Sequence, residues 1–539
     1  MATYYVSNTA ANGIPVGTAG GDGSIGDPVL TFFQGEQLTS TGDTLLFNDG
    51  AYNTLTGLTD PTAGDINNGI TIDSVTPYGA SFFVDVAGTN QIMRFRNSAE
   101  KTTLGKIKID SSNGLPARGL IDGNGPLDVT LDGTWLYGDP QTEGVLFNDV
   151  ENLVMKGGWI IEKSESSTTH QFRFQGKAGG GTIDISDGTI KDQFASSADN
   201  GLNFDILQAG YTFLAHDIDV QTNDSAMASG TSHAAIYVSG AATVEIYNIT
   251  VSNSTFTGHT DLVWVNNSAL ACTSCYVHDI NVSMGSSAFD DGEHTTVIVG
   301  ANTSGANNNS ISNAIVERIV TTGNNHGILI GWVTGAEVRK CSLDLCTLGV
   351  VTKGTTSAHV SGCKVIRCES VYLYDKFGTD SIYEFNTVQM SAGYGSAAML
   401  AAPDGANPSA DPTFTNNIVE SDVTVGQMCD IRSNTGTIKY NTFYSSVALP
   451  SNVYTWNGTG YDTLSAWETA AGATVATNNE TDPDLQADLS ILTTNALYGS
   501  GVKTWTGVNP EGYNDPIPNF GIDPGAMVNR NHPFHPLNL

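Results

Sequence analysis

The sequence predicts an all-β chain, a single-stranded right-handed parallel β-helix solenoid of about a dozen coils closed at its start by a short helix. Two observations carry that prediction: strand-like blocks recur at a fixed step, and the segments between them vary in length while the blocks do not. His216-Asp217-Ile218-Asp219-Val220 returns as Tyr247-Asn248-Ile249-Thr250-Val251 and again as His278-Asp279-Ile280-Asn281-Val282, each 31 residues on. Every block alternates polar and branched apolar residues, the period-2 pattern of a strand with one buried face. Further along the step tightens to 22, where Val338, Cys341, Leu343 and Cys346 return as Val360, Cys363, Val365 and Cys368. Asn386, Asn417 and Asn441 fall near the same turn in later copies.

A second strand recurs in each coil, as Gly144-Val145-Leu146-Phe147, Gly201-Leu202-Asn203-Phe204, Ala235-Ile236-Tyr237-Val238, Leu262-Val263-Trp264-Val265 and Gly327-Ile328-Leu329-Ile330. Repeats this short leave no room for a crossover helix, so stacked coils of short strands remain. An open coil exposes unpaired backbone groups, and the ends therefore need covers. Asp27-Pro28-Val29-Leu30-Thr31-Phe32-Phe33-Gln34 reads as that cover, a helix with Asp27 as N-cap and Pro28 at its first position. Three regions follow: residues 1–65 as N-terminal cap and first coils, 66–450 as the β-helix, and 451–539 as C-terminal cap and tail.

Composition narrows the partners. The 539 residues hold 22 Lys and Arg against 55 Asp and Glu, a formal net charge of −33. Such a surface repels nucleic acid and anionic membranes, and it favours a neutral glycan or one held with the help of a cation. No apolar run is long enough to span a bilayer. The start, Met1-Ala2-Thr3-Tyr4-Tyr5-Val6, shows no signal-peptide pattern, so a protein made in the cytoplasm is expected, with secretion as the alternative. Of the seven cysteines, four form two pairs one repeat apart, Cys341 with Cys363 and Cys346 with Cys368, which points to stacking in the interior before disulfides; the lone Cys272-x-x-Cys275 is a weak zinc motif.

Aligning the coils on the second strand gathers ionisable residues just ahead of it: His170, Asp199, His233, His259, Asp261, Glu293, His294 and His326. Acid and base catalysis needs paired groups on neighbouring coils, so Asp261 and Glu293 are the expected carboxylate pair, with His294 or His233 orienting a sugar or water. Asp199 and His326 are expected to contact substrate. Polar turn residues of a solenoid also ladder with one another for no catalytic reason. Asp290, Asp291 and Glu293 together suit Ca²⁺, an oxygen-seeking cation, so Ca²⁺ is a possible cofactor; no metal ligand set is assigned. A row following the strand, Asn148, Gln175, Asp205, Ser239, Asn266, Lys353, Tyr374 and Asp430, offers sugar-binding amides and hydroxyls, of which Asn266, Lys353 and Tyr374 are the chosen candidates. Lys353, Asp375, Lys376 and Arg432 make the one basic patch. Tyr237, Trp264, Trp332 and Tyr374 could stack on sugar rings, although inward packing is expected for Tyr237 and Trp264.

Tyr4-Tyr5-Val6-Ser7, Gly21-Asp22-Gly23, Asp27-Pro28, Gly42-Asp43-Thr44 and Asn48-Asp49-Gly50-Ala51-Tyr52 at one end resemble the pectate-lyase-like superfamily of right-handed β-helix proteins. So do Asp482-Pro483-Asp484-Leu485, Gly499-Ser500-Gly501 and Gly521-Ile522-Asp523-Pro524-Gly525-Ala526 at the other. The superfamily includes polysaccharide lyases, glycoside hydrolases and phage tailspikes. The resemblance to its tailspike branch implies a virion protein, a homotrimer joined to other tail proteins, that recognises bacterial surface polysaccharide and depolymerises it or only holds it. A free glycoside hydrolase or polysaccharide lyase, and a structural virion appendage without a site, are the alternatives.

Overall fold

One backbone device, a single left-handed residue between two strands, shapes the coils of this computed structural model. Asp187, Asp217, Asn248 and Asp279 have φ of 55°, 54°, 51° and 52°. They sit at one register position of successive coils, between Ser186, His216, Tyr247 and His278 on one side and Gly188, Ile218 and Ile249 on the other. Asp and Asn tolerate this conformation better than other side chains, which is why the sequence repeat carries them there. The repeated block therefore belongs to a longer bent strand, Tyr211–Thr222 in one coil, with the hinge at the block's second residue, a feature that alternation alone does not reveal. Asn248 donates to Asp217 across the hinge row at 3.1 Å. The rings of His216, Tyr247 and His278 stack along it at 4.8 and 4.9 Å, matching the spacing of paired strands.

The structure describes residues 1–485 other than 55–62, 67–68, 85–90, 96–100, 112–118, 125–127, 139–144, 164–171, 193–200, 223–232, 252–259, 267–269, 284–294, 302–310, 324–325, 392–396, 403–410, 423–425, 433–434, 473–474 and 484. It divides into two compact units, Met1–Ala314 with Thr321–Val333, and Ile315–Val320 with Thr334–Leu539. Each is a parallel β-helix.

In the first unit, a described coil such as Gly181–Asp192 with Leu202–Asp205 gives three strand segments. The first two flank the hinge, and the third belongs to a separate parallel sheet in which Leu202–Asp205, His233–Ser239, Thr260–Asn266, Thr295–Gly300 and His326–Gly331 follow one another. Phe204 meets Phe213 of the facing strand at 4.9 Å inside the coil, so its register mates Val238, Val265 and Val299 also point inward. Pairing begins at Thr3–Val6 on Thr44–Phe47. The cap helix runs Phe32–Leu38, with Thr31 as N-cap and a capping box to Gln34. It starts later than Asp27 and Pro28 suggested, because Val29 is held in extended form: its N–H donates to Tyr5 at 3.0 Å, and its carbonyl accepts from Ser7 at 2.9 Å.

The second unit stacks its coils on a buried asparagine ladder. Asn386, Asn417 and Asn441 are each 0% exposed. Each side-chain oxygen of Asn417, Asn441 and Asn478 accepts both the backbone and the amide N–H of the preceding asparagine, at 2.9–3.0 Å. Cys341, Cys346, Cys363 and Cys368 are buried free thiols, as are the other three cysteines. The helix Leu464–Ala471 lies against the last coils, its Trp467 stacked on Tyr454 at 5.0 Å.

Glu317, 3% exposed, anchors an ion cluster in this unit, with Arg339 at 2.8 Å, Lys340 at 3.7 Å and Arg318 in contact. Burial pushes its pKa up, but Arg339 and Arg318 outweigh that and hold it below the ordinary value. A depressed carboxylate stabilises the fold above its unfolded pKa, and that contribution disappears as pH falls through the folded one. Glu317→Gln is expected to cost about 3 kcal/mol at neutral pH. The gap to the parent, followed by urea denaturation at stepped pH, should close on acidification below the ordinary glutamate range; a pH-independent gap would contradict the assignment.

Candidate functional site

The separate sheet of the first unit, to which Leu202–Asp205, His233–Ser239 and Thr260–Asn266 belong, turns one side to the core and the other outward. Tyr237 lies between Ile236 and Val238, and Trp264 between Val263 and Val265, all four neighbours at most 1% exposed. Both aromatic residues therefore point outward and are half-buried, the reverse of the inward packing expected. Val238 and Val265 share the register of inward Phe204, which leaves the intervening rings on the other face.

Their geometry forms a platform. The rings meet edge to face at 5.2 Å and 88°. The indole N–H of Trp264 crosses to the next coil and donates to the Gly300 carbonyl at 2.9 Å. Asn266 reaches back and donates to the Tyr237 hydroxyl at 3.3 Å. Burial raises the phenol of Tyr237 above its ordinary pKa, and the charge of Asp205 adds to that, so the hydroxyl stays protonated. Fixed aromatic faces rimmed by hydroxyl and amide groups are what sugar recognition uses, since a pyranose offers C–H faces and hydroxyl edges.

The same outward row continues through Asn203 to Arg173. Asn203 is 5% exposed, and its side-chain oxygen has no hydrogen-bond partner among the described residues. Arg173 lies 3.8 Å from Asp205. Sequence reasoning did not single out Arg173 or Asn203. The signal was present: each is the one polar residue between two apolar ones in Phe172-Arg173-Phe174 and Leu202-Asn203-Phe204, the position that Tyr237 and Trp264 occupy in their strands.

Asp261 is the second residue of the strand Thr260–Asn266, which also carries Trp264. It is 1% exposed, and its Oδ1 accepts the backbone N–H of Thr295 on the next coil at 2.8 Å. The Thr295 hydroxyl in turn lies 3.3 Å from Nδ1 of His326, one coil further. The structure thus links Asp261, Thr295 and His326 in one line across three coils. Glu293, His294, Asp199, His170, His259, Asp290 and Asp291 lie outside the described residues, so the Glu293 member of the expected carboxylate pair and the Ca²⁺ run fall there. His233 opens the strand His233–Ser239, with its backbone opposite Thr260.

Asn266, Ser239 and Asp205 share one register row, as expected. Lys353 and Tyr374, in the second unit, do not share a row: Lys353 pairs with Lys376, whereas Tyr374 pairs with Val351 and Leu400 and packs against Val371, Ala397 and Leu400. Asp430 follows Leu400 in the Tyr374 row and holds Arg432 at 2.8 Å. Asp375 points the other way, is 0% exposed and accepts from Thr352 at 3.0 Å, so it leaves the surface basic patch. Among the described residues no cluster of three or more His, Cys, Asp or Glu could hold a metal ion. Cys272 and Cys275 are buried, and burial pushes the Cys272 thiol up to about 11 and Cys275 well above its ordinary value, which disfavours the thiolates zinc needs.

No family model matches the chain, and no curated protein matches it. Among solved structures it is similar to XylC in complex with xylose (11% identity, 90% of this chain and 87% of that one, TM-score 0.32). It is also similar to pectate lyase Pel9A (10% identity, 98% and 96%, TM-score 0.24) and to a rhamnogalacturonan lyase (10%, 82% and 87%, TM-score 0.23). The strand registers above define the chain as a parallel β-helix.

Proposed function

We propose that this protein binds polysaccharide along the outward face of the separate sheet in its first unit, with Trp264 and Tyr237 as the sugar platform. The perpendicular ring pair, locked by its hydrogen bonds to Gly300 and Asn266, carries the reading. Rings fixed before binding lose little entropy when a sugar arrives. On the resemblance to tailspikes, the finer proposal is a virion protein, a homotrimer in contact with other tail proteins, whose ligand is a bacterial surface polysaccharide. A pull-down of the full chain on host surface polysaccharide, with Trp264→Ala as control, tests it: retention that the substitution leaves unchanged would sink it.

The line Asp261–Thr295–His326 favours a second reading, depolymerisation, with Asp261 as a catalytic group. Its observed bond also gives Asp261 a structural task, and the two roles separate by substitution. Asp261→Ala strands the Thr295 amide and should destabilise the fold by about 2 kcal/mol, whereas Asp261→Asn keeps an acceptor and costs less than half of that. A catalytic Asp261 would show as loss of reducing-end or unsaturated-sugar release in the well-folded Asp261→Asn protein. Equal release by that variant and the parent would leave Asp261 with the structural task alone.

A further inference from the structure

We propose that the Trp264 site takes an uncharged glycan, and that the Arg173–Asp205 pair sets this preference; the inference rests on the glycan-binding reading above. Three observations on this face point the same way. Arg173, the cation nearest the platform in its row, has a carboxylate of Asp205 at 3.8 Å. Both side chains are about a third exposed, at 30% and 36%, so the pair faces the region a ligand would cross. The remaining arginine of the row, Arg94, pairs in register with Asp122.

Between Arg173 and Trp264 the groups offered to a ligand are the amides of Asn203 and Asn266 and the hydroxyls of Tyr237 and Ser239. All four are neutral, and Asn203 is nearly buried with its side-chain oxygen unpartnered among the described residues. An amide end held dry and unpaired rewards a sugar hydroxyl, and this holds for either orientation of the amide because a hydroxyl both donates and accepts. A carboxylate-bearing sugar would meet no unmatched cation here. Successive coils are about 4.8 Å apart, so a sugar on Tyr237 and Trp264 lies within roughly a screening length of the Asp205 carboxylate. The chain's net charge of −33 adds a general repulsion of polyanions.

Removing the Asp205 charge should therefore unmask Arg173 and change what the site accepts. The test uses the full chain on an array of neutral oligosaccharides. The best neutral binder is then compared by titration calorimetry with its counterpart in which one primary alcohol has been oxidised to a carboxylate. Only the part of the binding lost in Trp264→Ala is counted, which removes any contribution from the Lys353, Lys376 and Arg432 side of the second unit. The neutral glycan is expected to bind at least tenfold more tightly than its oxidised counterpart. Asp205→Asn should narrow that ratio at least tenfold, chiefly by improving the acidic ligand, and the gain should shrink with added salt. Equal Trp264-dependent binding of both glycans, or a ratio unmoved by Asp205→Asn, overturns the inference while leaving glycan binding intact. No Trp264-dependent binding of any glycan removes the underlying reading instead.

Discussion

Replacing Trp264 with alanine is expected to weaken glycan binding roughly thirtyfold, a loss of about 2 kcal/mol that is typical of a central aromatic anchor. The indole gives the site a broad apolar face held in one orientation by Gly300 and Tyr237. Alanine removes both the face and its support for the Tyr237 ring. Because Trp264 points away from the core, the folded chain should survive with a stability loss of about 1 kcal/mol, the worth of one aromatic contact and one hydrogen bond. Trp264→Phe keeps a ring without the N–H and should recover part of the affinity. Titration against the tightest array ligand, with thermal unfolding run in parallel, separates the two effects. Unchanged affinity in a folded Trp264→Ala protein would remove the site from this face.

Asn417→Ala is expected to be the most damaging single change among the described residues of the second unit, costing about 4 kcal/mol. Asn417 accepts from the backbone N–H and the amide of Asn386 and donates to Tyr383 and Asn441. After truncation the Asn386 amide keeps Val360, and the Asn441 oxygen keeps the backbone N–H of residue 417. The Asn386 backbone N–H and the Tyr383 carbonyl lose their partners in a dry interior, and each such loss costs on the order of 1–3 kcal/mol. Solenoids lose structure locally, so amide exchange should quicken first in Thr387–Met390 and Ile418–Ser421, the strands beside the ladder. Glycan binding at Trp264, in the other unit, should persist. Exchange rates matching those of the parent would show that the ladder is dispensable.

Much of the architecture was legible in the residues because a solenoid repeats its own solution. The 31-residue step located the recurring strand block, and the 22-residue step placed Cys341 and Cys363 one coil apart in the interior; both follow from side-chain period, which is a local property. The hinge conformation of Asp217, Asn248 and Asp279 was less visible, since an alternating strand and a strand with one left-handed residue share the same polar pattern. The cap helix was displaced for a comparable reason: Asp27-Pro28 is a sound local start, but the strand at Tyr5 captured Val29 first.

The site divides along the same line. Sequence alone supplied Tyr237, Trp264 and Asn266 as sugar-binding candidates and Asp261 as an ionisable group ahead of the strand, because chemistry and spacing are written in the chain. Which face the rings take, that Asp261 holds a neighbouring amide, and that Arg173 is matched by Asp205 emerged only with the coils in register. Those facts depend on which residues of different coils lie beside one another. One residue of phase decides whether a side chain enters the core or faces a ligand, and packing between coils sets that phase.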